Sequence, residues 1–247
     1  MSDRGKEFFV GYLPMPAGLN RFYKALTIAL LLIAAGFAYW TSSSQQSAGE
    51  GQWHLSGTET VNGWLSLSPY PVLHTTGPNP RSIMLVMQGK QAATAFVESL
   101  EGQHVELSGF LIERGGWSLM EMRGAGDVQA STAPAGVKAP VSKQLESIEL
   151  SGEIVDSKCF MGVMKPGAGK VHRACAAMCI AGGIPPVLVV EKTDGKRFGY
   201  VLVNENGESA AAQVRENIAV PVRVTGSLEQ RGDLTYLYLA PESVQAL

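Results

Sequence analysis

Residues 105–122, "VELSGFLIERGGWSLMEM", lie without a gap on residues 222–239, "VRVTGSLEQRGDLTYLYL". Val105 matches Val222, Gly109 matches Gly226, Leu111 matches Leu228, and Arg114-Gly115 matches Arg231-Gly232. An internal match of this kind constrains the architecture strongly, because whatever fold one copy adopts must also serve the other. Each copy reads as two alternating strands joined by a tight Arg-Gly turn. The glycine in mid-strand marks a bulge or a sharp bend, as at the corner of a small barrel.

The match continues upstream in outline. A short helical stretch precedes each hairpin, "AATAFVESLEG" in the first copy and "AAAQVRENIA" in the second. Before these come the apolar strands "SIMLVMQG" and "RFGYVLVNENG", and each copy opens with a strand near an "LSG" triplet, at 55–57 and 150–152. Strands, a short helix and a closing hairpin resemble the OB-fold, the five-stranded Greek-key barrel. The 28 glycines and the scarcity of helix-forming runs agree with a mostly β protein. Two tandem OB-like barrels are therefore expected, at 53–123 and 145–247. Residues 124–144, rich in Ala, Pro, Gly and Ser, read as a flexible linker between them.

Ahead of the first barrel, Ala25 to Trp40 carries no charge and is almost wholly apolar. A transmembrane signal-anchor helix is expected at 24–41, with a tail at 1–23 and a polar linker at 42–52. The bulky exit "FAYWTSSS" does not suit a signal peptidase, which wants small residues. Arg21 and Lys24 stand at the start of the segment, and the next cation is Arg81. The positive-inside rule places the tail in the cytoplasm and the barrels outside it, periplasmic in a bacterial inner membrane. Net charge is −2, which leaves no footprint for nucleic acid.

One segment breaks the duplication. Residues 157–186 of the second copy, between its opening strand and the next, contain all three cysteines of the chain, and the first copy has no counterpart. Inserted loops on a rigid scaffold are where function collects. Within it "KVHRACAAMCIAGG" has good helix formers and a glycine stop. A helix puts His172, Cys175 and Cys179 at i, i+3 and i+7, within a stripe roughly 60° wide. Cys159, folded back by "MKPGAG", would complete a Cys₃His set.

That set fits tetrahedral zinc, an iron–sulfur cluster or copper, which soft thiolate and thioether ligands favour. Met161, Met164 and Met178 crowd the segment. The Cys-x₃-Cys spacing is similar to that of Cu(A)- and Sco-type copper sites. That resemblance implies Cys175 and Cys179 as copper thiolates, although His172 precedes the pair where Cu(A) has its histidine after it. Copper therefore ranks first, with zinc and iron–sulfur as alternatives. Two other readings stand beside metal binding. One is a thiol–disulfide redox protein; the other is a structural subunit stapled by a disulfide from Cys159. A Cys175–Cys179 disulfide is disfavoured, since i, i+4 helical Cβ atoms lie about 6 Å apart and a disulfide needs about 3.8 Å.

Lys158, Lys165, Lys170 and Arg173 surround the cysteines in sequence, where they would favour thiolates or form a docking patch. Asp156 reads first as a surface carboxylate, with orientation of His172 as the alternative. His74 reads as a solvated loop residue, and His54 and His104 carry no pattern. No Ser-His-Asp set, phosphate loop or nucleotide fingerprint is present. The expected role is thus an accessory or electron-transfer protein of a membrane redox complex, rather than a free-standing enzyme.

Overall fold

A computed structural model describes residues 16–44, 51–191 and 197–247. The tail up to residue 15 and linker positions 45–50 lie outside the described residues. The chain divides into two units, the first ending at Ser47 and the second running from Ala48 to Leu247.

In the first unit, helix α1 spans Ala17–Ser44, seven residues earlier and three later than the apolar run alone suggests. Pro16 suits the position just before a helix, where a missing N–H costs nothing. At the other end the hydroxyls of Thr41, Ser43 and Ser44 donate to the carbonyls of Phe37, Trp40 and Thr41. These local bonds carry the helix through "TSSS". Its 28 residues have a mean hydropathy of 1.7 in their most apolar window, none of it buried. At 1.5 Å per residue α1 is about 42 Å long, more than a roughly 30 Å hydrocarbon layer requires. It is long and apolar enough to cross a membrane, and a signal sequence would have the same character.

The second unit contains both barrels. The first is built from β1 (Gln52–Trp53), β2 (Glu59–Ser66), β3 (Val72–Thr75), β4 (Ser82–Met87), helix α2 (Thr94–Val97), β5 (His104–Arg114), β6 (Trp117–Met122) and β7 (Val128–Ala130). The ring closes as β2-β3-β4-β6-β5, antiparallel except for the β4–β6 pair, with β1 and β7 added on β5. The second barrel contains β8 (Lys143–Asp156), helix α3 (Arg173–Ala181), β9 (Pro186–Glu191), β10 (Arg197–Asn204), helix α4 (Ala211–Val214), β11 (Pro221–Arg231) and β12 (Leu234–Ala246). Its ring, β8-β9-β10-β12-β11, repeats the first strand for strand, including the parallel β10–β12 pair. Both are OB-type barrels, mostly β as the duplication requires, and α3 belongs to an insertion in the second one only.

The matched hairpins behave as their residues dictate. Gly115 and Gly116 turn β5 into β6 with φ of 58° and 88°, and Gly232 turns β11 into β12 with φ of 63°. Left-handed backbone of this kind gives two-residue hairpin turns the twist of the strands they join. At mid-strand, a Cβ on Gly109 would lie 2.6 Å from Met120 Cγ. At the matching position the β11–β12 register shifts between Val224 and Gly226.

Three expectations are corrected here. "LSG" at 55–57 is a turn, and the first barrel opens at β2 instead. The "VLHT" stretch is strand β3, not loop, so only the short Ser68–Pro71 connection stands opposite the insertion. The 124–144 segment is not a free linker. β7 pairs with β5 and Arg123 clasps Asp127 across a 3₁₀ turn, while β8 already begins at Lys143.

Each barrel has its own interior, Leu73, Leu85, Leu107 and Met120 in the first and Ile154, Leu202, Val222 and Leu237 in the second. A third apolar core lies between them. Tyr70, Val72, Met84, Val86, Ile112 and Leu119 pack there with Val155, Val187, Val201, Val203, Leu234 and Tyr236. All six residues of β4 are buried, as expected of a strand covered on both faces. The barrels are thus one packed body.

Candidate metal centre

Strand β8 delivers Asp156 to the seam between the barrels, where it is fully buried. Its Oδ1 accepts from the backbone N–H of Cys159 at 2.8 Å, which begins the π-turn Cys159–Val163. Its Oδ2 lies 3.0 Å from His172 Nε2. One carboxylate therefore fixes both a cysteine and the histidine, and the surface reading of Asp156 is wrong. The loop between them is folded back tightly: a Cβ on Gly167 would collide with the Cys159 carbonyl, and Gly169 N–H donates to Glu153 Oε1 at 2.5 Å.

The chain then enters a 3₁₀ turn over Lys170–His172 and continues as α3. Gly182 ends the helix by donating to the carbonyls of Met178 and Cys179, and Gly183 takes φ of 92°, as glycine-terminated helices do. His172, Cys175 and Cys179 share one face. Donor atoms of Cys159, His172 and Cys175 lie within 4.8 Å of one another, and so do those of Asp156, Cys159 and Cys179. Cys159 is thus common to two groups, one with His172 and Cys175 and one with Asp156 and Cys179, and all three cysteines are free thiols. Cys159, His172 and Cys179 are buried, and Cys175 is partly exposed.

The cation on the thiols comes from a residue that local sequence did not single out. Lys90, on the turn after β4 of the first barrel, places Nζ 2.8 Å from Cys175 Sγ and 3.4 Å from Cys179 Sγ. Hydrogen bonds to these sulfurs, Cys175 first, raise the ammonium's pKa. Cys159 donates to Cys179, which pushes its own thiol pKa up, with burial and Asp156 acting in the same direction. The same bond, helped by Lys90 and opposed by burial, brings Cys179 down to about 7.

Lys158, expected to favour thiolates or to join a docking patch, is buried. Its ammonium meets Glu121 Oε2 at 2.5 Å and the carbonyls of Met87 and Gly89 at 2.8 and 2.9 Å. Arg173 donates to the Glu216 carbonyl. Of the three methionines, Met161 is buried in the same core as the cysteines, whereas Met164 and Met178 are exposed. His74 is a buried strand residue bonded to Ser82, His54 faces Glu113, and His104 is held by Thr76 and Ser131. None of the three belongs to the candidate ligand groups.

Nothing in the spacing of Lys90 or Glu121 marks them, because both belong to the first barrel and reach the cysteines only through its packing on the second. Fold and site together define a class: tandem OB-type barrels behind an apolar helix, with a thiol–imidazole cluster in the second barrel and a lysine from the first. No family model, no curated protein and no solved structure matches the chain.

Proposed function

We propose that Cys159, His172, Cys175 and Cys179 bind a metal ion, copper ahead of zinc or an iron–sulfur cluster. In this reading the protein is an extracytoplasmic, membrane-anchored accessory or electron-transfer component of a membrane redox system. The observation that carries the reading is the convergence of three thiols and an imidazole from two segments, with donor atoms within 4.8 Å in each candidate group. With Nε2 on Asp156, Nδ1 of His172 is the nitrogen left for a ligand, the usual carboxylate–histidine–metal arrangement. Thiolates from three cysteines make the set soft, which favours copper(I). The buried surroundings suit a closed site that holds its ion more than one that exchanges ligands with substrate. Arg21 and Lys24 at the start of α1 set the orientation by the positive-inside rule.

The full chain, purified in detergent from metal-replete, reducing medium, is expected to contain one equivalent of metal. Cys175→Ser and Cys179→Ser should each lose it. Stoichiometric metal retained by either variant would remove that residue from the ligand set, and metal-free wild type would end the metal reading. In that event the second reading gains, because the Cys159 and Cys179 sulfurs lie within 4.8 Å of each other and the lowered pKa of Cys179 suits a reactive thiolate. Thiol counting before and after reductant would then find a reversible disulfide.

A further inference from the structure

Three cysteines leave an odd thiol whenever two of them pair. Here Cys159 and Cys179 are both buried with their sulfurs within 4.8 Å of each other, while Cys175 is the partly exposed one. Its hydrogen-bond partner among the described residues is Lys90 Nζ, at 2.8 Å. Lys90 is held there from several sides. Ala92 N–H donates to the Gly182 carbonyl at 2.8 Å, and a Cβ on Gly182 would run into the Lys90 carbonyl. Lys158 grips the Met87 and Gly89 carbonyls of the same turn. The amine is therefore presented to the sulfur by fixed backbone on both barrels. Lys90 and Cys175 are only partly buried, so a small oxidant can reach the pair.

We propose that, when the site holds no metal, dioxygen joins Lys90 and Cys175 through an N–O–S bridge. The balance is complete with one O₂. The ammonium, the thiolate and O₂ give the bridged product and one water. One oxygen atom forms the N–O and O–S bonds, and the other leaves as water with two of the three ammonium protons. Nitrogen and sulfur each supply two of the four electrons that dioxygen accepts. Thiol reductant reverses the step with four thiol equivalents, returning amine, thiol and water. The bridge ties the turn after β4 covalently to α3. Its formation does not depend on the metal reading. Only its consequence does, namely that Cys175 is withdrawn from the ligand set until reductant restores it.

The test uses the full chain in detergent, stripped with a chelator and divided between anaerobic and aerated buffer. Aeration should raise the intact mass by about 14 Da, one oxygen gained and two hydrogens lost, with reversal by dithiothreitol. Peptide mapping should join Lys90 to Cys175. Lys90→Arg, which keeps the charge, and Cys175→Ser should both lack the gain, while the wild-type comparison stands whether or not a variant folds. A gain of about 16 or 32 Da confined to Cys175 would overturn the proposal. So would aerated protein in which Cys175 stays a free thiol, or a bridge made by a different lysine. Metal content of the unstripped protein is measured separately, so failure of the bridge and failure of the metal site are distinct results.

Discussion

His74 shows how far a single residue can depart from its local reading. Its neighbours "TTGPNP" suggest an exposed loop, yet it pairs in β3 opposite Trp64 and is 5% exposed. Nδ1 lies 2.9 Å from Ser82 Oγ, and the Ser82 N–H donates to Asp233 of the second barrel at 2.7 Å. Burial, then Arg231, hold the imidazole pKa down from 6.5 to about 4, against the pull of Asp233. The unfolded chain takes up a proton below 6.5, while the folded chain resists until about 4. The stabilisation is therefore complete above pH 6.5 and is lost as pH falls towards 4, by at most about 3 kcal/mol. In urea unfolding, wild type should lose about that much more than His74→Gln over this interval. Parallel pH profiles would show that His74 is not held neutral by the fold. Lys158 teaches the same lesson: its sequence neighbours suggest solvent, and its tertiary neighbours are Glu121 and two carbonyls.

At the scale of elements, α3 was the most legible part of the site. Helix formers between glycine breaks placed it, and the 3.6-residue period put His172, Cys175 and Cys179 on one side. The structure refines this only at the start, where His172 belongs to a 3₁₀ turn and occupies the N-cap of α3. What the period could not show is the surface the helix end rests on. Gly182 packs so closely on the Lys90 carbonyl that any side chain must push the first barrel's turn away. Gly182→Ala is expected to cost about 2 kcal/mol, read by urea unfolding, through overpacking at a seam with backbone on both sides. It should also move Lys90 off Cys175 and Cys179. An alanine variant as stable as wild type would mean that the contact yields freely.

For the barrel unit as a whole, the core between the barrels decides behaviour. Either barrel alone would expose apolar residues that the other covers, Val72, Met84 and Val86 on one side and Val187, Val201 and Tyr236 on the other. Trp117 of the first barrel packs on Gly199 of the second at a distance that leaves no room for a Cβ. Unfolding of the two barrels should therefore be a single transition, with tryptophan fluorescence and far-ultraviolet circular dichroism giving coincident denaturation curves. Two separated transitions would show that the barrels fold independently despite the shared core. The composition of 124–144 hid this, since Ala, Pro, Gly and Ser describe chain without an apolar period and say nothing of what lies beside it. The better signal was β4, where "IMLVM" is apolar at five consecutive positions rather than at alternate ones.

The sequence by itself determined the duplication, the barrel class, the apolar helix, the place of the insertion and which side of α3 bears the cysteines. Each follows from short-range periodicity, turn chemistry or a direct self-match, all of which are local. Tertiary structure alone decided that the barrels share a core, that Asp156 and Lys158 are buried, and that Lys90 from one barrel meets Cys175 and Cys179 of the other. Those contacts join residues tens of positions apart, and no local period records them. They depend on how two completed barrels bury the apolar faces that neither can cover alone.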